Sequence, residues 1–223
     1  MEILEHYPIE VLHWSGMDNF TVENLEKIIS KYPHYINTVN KENDNGLFIA
    51  IRNNNSSTIS YFLDKTNIDL FHSNKDGNAF NYATYMNNTQ LSLLLAEKGL
   101  DINLFDSKGN NPLFNSAFHG NDVLIEFFIE KGVDFNCTNF SQENILFTFV
   151  NNYIAHQNYY CFELILDQMS DDVIFKNNIS RLNIYQYMNF LIDEALKQKN
   201  NLRVSLLQKI FEPLRYMLSF REK

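Results

Sequence analysis

Residues able to perform acid–base or metal chemistry are few and scattered in this sequence. None of the six histidines falls in an HExxH pattern. His156 and Cys161 are the one histidine–cysteine pair close together along the chain, and two ligands alone make a weak zinc site. We therefore predict no metal site and expect Cys161 to be buried within a helix. The histidines are His6, His13, His34, His72, His119 and His156.

The motifs of phosphate binding and nucleophilic catalysis are absent from the sequence. No GxxxxGK[ST], GxGxxG or GxSxG pattern occurs, and the seven glycines are too few for a phosphate loop. The neighbouring acids Asp171 and Asp172 are more typical of a helix start than of an acid–base pair. We predict no catalytic residue and no cofactor.

The balance of charge argues against nucleic acid as a partner. Asp and Glu number 27 against 18 Lys and Arg, which gives a net charge of −9 and a pI near 5.1. A nucleic-acid-binding protein normally clusters basic residues to displace counterions from phosphates, and this chain has no such cluster. An acidic surface would instead attract a basic protein.

Cysteine usage and hydropathy predict a cytoplasmic monomer that does not span a membrane. Cys137 and Cys161 form no CxxC motif and no disulfide framework, which favours a reducing compartment. The first residues lack a basic segment followed by an apolar run, as a secretory signal would need. No stretch of about 18 apolar residues occurs.

An internal repeat of 33 residues organises the chain. A large apolar residue recurs at this spacing, and a small or apolar residue three positions later recurs with it. Four copies at one constant period indicate stacked supersecondary units. The first series is Leu47, Phe80, Leu113 and Leu146, and the second is Ala50, Ala83, Ser116 and Phe149.

The second half of each unit repeats as well. The segments AEKGLDIN (96–103) and IEKGVDFN (129–136) place Gly99 and Gly132 33 residues apart. The segment DKTNIDLF (64–71) is a degenerate copy of the same pattern. The unit resembles the ankyrin repeat, whose hallmark is Thr-Pro-Leu-His-x-Ala followed by Leu-Leu-x-x-Gly-Ala-Asp-x-Asn. The best copy has Asn111 for Thr, then Pro112 and Leu113.

This resemblance implies an all-α solenoid of stacked helix pairs with hairpin-like loops. Glycine at positions 99 and 132 suits a helix end in left-handed backbone, because glycine has no Cβ to clash. The second helices carry apolar residues at helical spacing, which we expect to face the core. These are Leu91, Leu94 and Leu95 in one repeat, and Val123, Leu124, Phe127 and Phe128 in the next.

The two ends of the chain depart from the repeat. We predict a helical cap or degenerate repeat over 1–36, central ankyrin-like repeats over 37–150, and a divergent final repeat with a helical cap over 151–223. In the first segment, helices are expected at 3–14 and at 22–32, the latter capped by Thr21 and ended by Pro33.

In the last segment, extra residues are expected between the helices of the repeat that holds Leu146. Two amphipathic helices should follow over 182–220, with Pro213 bending or ending the second. Their predicted apolar faces are Leu182, Tyr185, Met188, Phe190 and Leu191, then Val204, Leu207, Ile210 and Phe211.

The resemblance also implies where a partner would bind. Contact positions of such repeats lie on the loop tips and on two residues near the end of each first helix. Tyr85, Met86 and Phe118 are large apolar residues at such positions, and these types are enriched in interfaces. Packing beneath a neighbouring tip is the alternative explanation for them. The predicted partner-binding residues are Arg52, Asn53, Lys75, Asp76, Tyr85, Met86, Phe105, Lys108, Phe118, His119, Phe140, Asn151 and Asn152.

These features predict a non-catalytic protein that binds another protein, and three roles stay open at this point. One is an immunity protein that occludes a basic toxin. The second is a bacterial effector or adaptor that binds a host protein. The third is an enzyme whose activity lies in residues 151–223, where the repeat fades. A pocket with convergent polar groups in that segment would favour the enzyme.

Overall fold

The computed structural model describes residues 22–64, 67–178 and 180–221 of the 223-residue chain. The helix predicted at 3–14 and the cap predicted at Thr21 lie outside the described residues. The described part is mostly helical and contains one two-stranded hairpin. The chain divides into two compact units, residues 1–107 and 108–223. The division at 36 and 150 drawn from the sequence stays a prediction.

The first unit contains one helix followed by two helix pairs among its described residues. Helix α1 ends one residue earlier than predicted, and Pro33 begins a 3₁₀ helix directly afterwards. The hairpin pairs Ser73 with Asn78. The elements are α1 (Val22–Lys31), the 3₁₀ helix (Pro33–Asn37), α2 (Gly46–Arg52), α3 (Ser56–Asp64), β1 (Ser73–Asn74), β2 (Gly77–Asn78), α4 (Ala79–Tyr85) and α5 (Thr89–Glu97).

Among its described residues, the second unit contains three helix pairs and one short helix. Asp171 and Asp172 lie in the first turn of that short helix, where carboxylates favour the positive end of the helix dipole. The elements are α6 (Pro112–His119), α7 (Asp122–Glu130), α8 (Ile145–His156), α9 (Tyr159–Gln168), α10 (Asp171–Ile174), α11 (Ile184–Lys197) and α12 (Asn201–Arg221).

Each of the helices α2, α4, α6 and α8 contributes two fully buried residues to the core. Both members of the 33-residue series, the large apolar residue and the residue three places later, have no exposed surface in any of the four repeats. A single helix pair could not bury these residues alone. Their burial therefore follows from the packing of neighbouring helix pairs within each of the two compact units. The predicted all-α fold of stacked ankyrin-like helix pairs is confirmed.

A left-handed residue followed by asparagine joins the two helices of every pair. The left-handed residues have φ between 49° and 59°, and they are Asn54, Asn87, Gly120, Gln157 and Lys199. The asparagine after each one accepts a hydrogen bond through Oδ1 from the backbone N–H three residues later, which caps the second helix. The last pair, α11 and α12, therefore has the linker of an ankyrin-like repeat.

Extra residues in the later repeats lengthen the first helix, so the prediction that they lie between the helices is wrong. Helix α6 has 8 residues, whereas α8 has 12 and α11 has 14. From the N-cap asparagine to the left-handed linker residue the spacing is 9 (111 to 120), 13 (144 to 157) and 16 (183 to 199), so four and seven residues are added. These additions of about one and two turns of about 3.6 residues return the helix end to the same face. The linker therefore keeps its geometry although the 33-residue spacing is lost.

A second set of asparagines begins the first helices at positions 45, 78, 111 and 144. All four are buried. Asn45, Asn78 and Asn144 accept a backbone N–H of their own helix and donate Nδ2, at 2.6–3.4 Å, to a backbone carbonyl of the segment that follows the helix pair. Asn111 donates instead to Sγ of Cys137 at 3.8 Å. The residue that replaces the family's threonine thus ties each helix to the next loop.

Three apolar residues predicted to face the core are exposed instead. In α5 the buried apolar residues are Leu91 and Leu95, one helical turn apart. Leu94 in α5, Val123 in α7 and Phe190 in α11 lie outside the buried faces of their helices and remain in solvent.

Two glycines follow the ends of second helices in left-handed backbone, whereas one proline lies inside a helix that continues past it. Gly99 and Gly132 follow their second helices with φ of +86° and +67°, as predicted. Pro213 does not end its helix, because α12 continues through it to Arg221, and a bend at this proline stays a prediction. Proline removes one backbone hydrogen bond, and the rest of this 21-residue helix keeps its pattern.

Candidate partner-binding surface

In the first unit, two predicted contact pairs lie at the ends of neighbouring first helices. Arg52 and Asn53 end α2, and Tyr85 and Met86 end α4, so they occupy one register. All four are exposed, and the Tyr85 side chain is 65% exposed. Large apolar side chains at such exposure are the residue types that form interface cores.

The guanidinium of Arg52 is already paired within the repeat. It forms an ion pair with the carboxylate of Asp44, which is buried, while the arginine side chain remains partly exposed. Oδ1 of Asp44 also accepts hydrogen bonds from Nδ2 of Asn74 at 2.6 Å and from the hydroxyl of Tyr82 at 3.0 Å. Burial is the main cause that raises the pKa of Tyr82 to about 12. This cluster joins two repeats, so Arg52 contributes to the fold as well as to the surface.

Lys75 and Asp76 form the tip of the β1–β2 hairpin. Both are exposed, and the N–H of Asp76 donates to Oδ1 of Asn74 at 2.8 Å, which holds the turn. Phe105 is exposed on the next loop, where the carbonyl of Leu104 accepts Nδ2 of Asn81 at 2.8 Å. These tips are therefore fixed in position by hydrogen bonds within the unit.

In the second unit, the residues predicted at the same register are Phe118, His119, Asn151 and Asn152, and two of them, His119 and Asn152, are only half-exposed. Phe118 is 43% exposed and meets His119 edge-on, with 5.2 Å between ring centroids. Nδ2 of Asn152 donates to the carbonyl of Phe118 at 2.8 Å, and Oδ1 of Asn151 accepts the hydroxyl of Tyr187. The two asparagines thus hold helices together, and Phe118 is the large exposed side chain of this row.

The loop tip of the second unit presents Phe140, whose side chain is 71% exposed. Its N–H donates to the carbonyl of Lys108 at 3.0 Å, and Oδ1 of Asn139 accepts the N–H of Ser141 at 2.9 Å. A Cβ at Gly109 would lie 2.6 Å from Cδ1 of Phe140, so glycine there makes room for the ring. Lys108 is exposed beside it.

Phe71 is an exposed aromatic residue that the sequence reasoning missed. It lies on a loop of the first unit, and its N–H donates to Oδ1 of Asp69 at 3.2 Å. Asn103 and Asn136 make the same bond to Asp101 and Asp134 at 2.8 Å. The recurrent aspartate two residues earlier places Phe71 in the register of Asn103 and Asn136, on the loop that follows a second helix.

The thiols have little chemical reactivity at neutral pH. Cys161 is fully buried, as predicted, and burial raises its pKa to about 12. Cys137 is half-buried, and burial likewise raises its pKa to about 11. The described residues contain no group of three or more His, Cys, Asp and Glu side chains placed to hold a metal ion. Within the described part, no helix combines the length and apolar character needed to cross a bilayer.

Comparison with known proteins agrees with this geometry. Residues 12–106 match the family described as ankyrin repeats (3 copies), and no curated protein matches the chain. Among solved structures, the chain is similar to a chain of the complex between the predatory endopeptidase Bd0816 of Bdellovibrio bacteriovorus and the immunity protein Bd3460. The TM-score is 0.64 at 14% identity, and the alignment covers 89% of this chain and 96% of the other. At this identity the likeness shows a shared fold.

Residues 12–106 are therefore ankyrin repeats. Ankyrin repeats are generally a non-enzymatic protein-binding module.

Proposed function

We propose that this protein is a non-catalytic binding protein whose helix-end rows and loop tips contact another protein. The observation that carries the proposal is the exposure of large apolar residues at one register of the first helices, with Tyr85 in one unit and Phe118 in the other. Exposed tip residues, including Phe105 and Phe140, add to each unit's surface. Such side chains contribute most to the binding free energy when a partner excludes water from them.

We further propose that the partner is a basic toxin and that binding makes it harmless. Two observations support this role. The net charge of −9 favours a partner of opposite charge. The fold is shared with a chain of a complex between an endopeptidase and its immunity protein.

The experiment begins with the tagged full-length protein as bait in the native host, with captured proteins identified by mass spectrometry. The captured partner is then purified, and its affinity is measured at two salt concentrations. Because salt screens charges beyond a Debye length of about 8 Å at physiological ionic strength, a basic partner should bind more weakly at high salt.

Growth of a host that expresses the partner tests the protective role. The partner alone should stop growth, and co-expression of this protein should restore it. A partner that binds but is harmless would contradict the immunity role and favour an effector or adaptor.

A further inference from the structure

A cleft of about 380 Å³ lies in the second unit between α9 and α12. It is bordered by second helices of two successive pairs, so none of the residues of the proposed partner-binding surface lines it. Its walls combine aromatic rings with carboxylates and a proline. The main lining residues are Tyr159, Tyr160, Phe162, Glu163, Asp167 and Pro213.

The carboxylates of this cleft form no ion pair with a cation among the described residues. Glu163 and Asp167 lie four residues apart on α9, and both are exposed. In the part of the chain that the structure describes, no Lys, Arg or His lies within ion-pair distance of either one. Two unpaired negative charges at one wall attract a cation from outside.

Helix α7 adds further negative charge beside the cleft. Oε1 of Glu126 accepts the hydroxyl of Tyr160 at 2.7 Å. This hydrogen bond, followed by the charges of Glu126 and Asp122, raises the pKa of Tyr160. The ring of Tyr160 borders the cleft.

The face of Tyr159 already accommodates an ammonium group. Nζ of Lys209, from α12, lies 4.7 Å from the centroid of the Tyr159 ring. A cation over an aromatic face is attracted by the ring quadrupole. The Lys209 side chain is exposed, so an incoming cation can displace it without unpacking the core.

Pro213 contributes the apolar ring by which α12 lines the cleft. The aromatic face and the carboxylates both favour a positively charged hydrogen-bond donor.

We propose that this cleft binds a lysine or arginine side chain on a segment of a partner protein. The incoming cation replaces Lys209 over Tyr159 and pairs with Glu163 and Asp167. This site lies beyond the surface of the proposed function and does not depend on it.

The test uses the full-length chain and a capped peptide, Gly-Lys-Ser-Lys-Gly, at low ionic strength. The dissociation constant is measured from amide NMR shifts, against the same peptide with acetylated lysines. The double variant Glu163→Gln with Asp167→Asn should weaken binding by about threefold or more, and Lys209→Met should strengthen it about two- to fivefold, as expected of exposed ring and charge contacts.

A matched control removes two carboxylates elsewhere in the same unit. Glu130→Gln with Asp193→Asn makes the same change in net charge at exposed positions that do not line the cleft. This variant should bind the peptide within about 1.5-fold of the wild type, apart from screened long-range attraction.

Three results would overturn the proposal. One is equal binding of the acetylated peptide, which would show that charge is not recognised. Another is equal weakening by both double variants, which would show attraction to net charge alone. The third is an absence of shifts in α9 and α12. All three are independent of the partner captured through Tyr85 and Phe118.

Discussion

Asparagine at fixed positions does much of the hydrogen bonding that defines this fold. The chain has 32 asparagines, a usage that by itself indicates little about function. Ten of them begin the helices of the repeat pairs at recurring positions, and all of these except Asn111 accept a helix N–H through their side chains. Short polar side chains suit this task because they bond their own backbone locally. These positions are visible in the sequence only after the register is known.

The buried carboxylate of Asp44 should matter more for stability than its surface neighbours. Asp44→Ala leaves Asn74 and Tyr82 without their acceptor, so we expect a loss of about 1–3 kcal/mol in the free energy of unfolding. Urea denaturation measures this loss. Asp76→Ala, on the exposed hairpin tip, is the control and should change it by less than about 0.5 kcal/mol. Equal effects of the two variants would contradict the role given to Asp44.

His156 should make stability depend on pH in the acidic range. Burial is the main cause that lowers its pKa below 6.5, and Nδ1 accepts the N–H of Asn158 at 3.2 Å, which protonation would prevent. The unfolded chain therefore binds the proton more readily, and the free energy of unfolding falls as pH drops below about 6.5.

Denaturation at about pH 7.5 and about pH 5 measures this dependence, and His156→Gln serves as the comparison. The variant should lose less stability than the wild type between these two pH values. An equal loss in both proteins would show that other groups cause the acid sensitivity.

At the scale of elements, the sequence predicted the repeat period and its core positions well, and the helix lengths and the exposure of surface residues less well. The period, the buried series at 47 and 50, and the left-handed glycine at 99 follow from local rules and are seen in the structure. The lengthened helices α8 and α11 could not be inferred, because added turns shift the spacing without changing the local pattern. The exposure of Leu94 and Val123 depends on which neighbour covers a helix, which periodicity alone does not specify.

The linker between α6 and α7 should tolerate a side chain poorly. Gly120 has φ of +59°, and an added Cβ would lie 2.3 Å from Nδ1 of His156. Gly99 is also left-handed, with φ of +86°, but has nothing within 4 Å of an added Cβ. Gly99→Ala should therefore cost only the backbone strain of about 1–2 kcal/mol, and Gly120→Ala should cost more. Thermal unfolding compares them, and equal losses would contradict the contact with His156.

The core position of the third repeat provides a test of the register. Leu113 is fully buried, so Leu113→Ala should cost about 2–5 kcal/mol. Val123 in the same repeat is 49% exposed, and Val123→Ala should cost less than about 0.5 kcal/mol. Chemical denaturation of both variants measures these changes. An unchanged stability of the Leu113 variant would show that the register is wrong.

At the scale of the whole molecule, the sequence indicated a binding protein but not which of its exposed residues would be free to bind. Composition excluded a basic surface, and the repeat identified the kind of module. Arg52 ends α2, whereas Asn151 and Asn152 lie within the lengthened α8, and the side chains of all three already bond within their own units. Such pairing depends on residues distant along the chain, so the sequence alone did not reveal it.

The most direct test of the account is the affinity of the captured partner for two matched double variants, measured by calorimetry. Tyr85→Ser with Phe118→Ser removes the exposed rings of the first helices. Leu94→Ser with Val123→Ser removes apolar residues that are 40% and 49% exposed on the second helices. Circular dichroism verifies that both variants remain folded. We predict that the first variant loses about 2 kcal/mol or more of binding free energy, as for interface hot spots, while the second binds as the wild type does. A folded first variant with unchanged affinity would contradict the central claim.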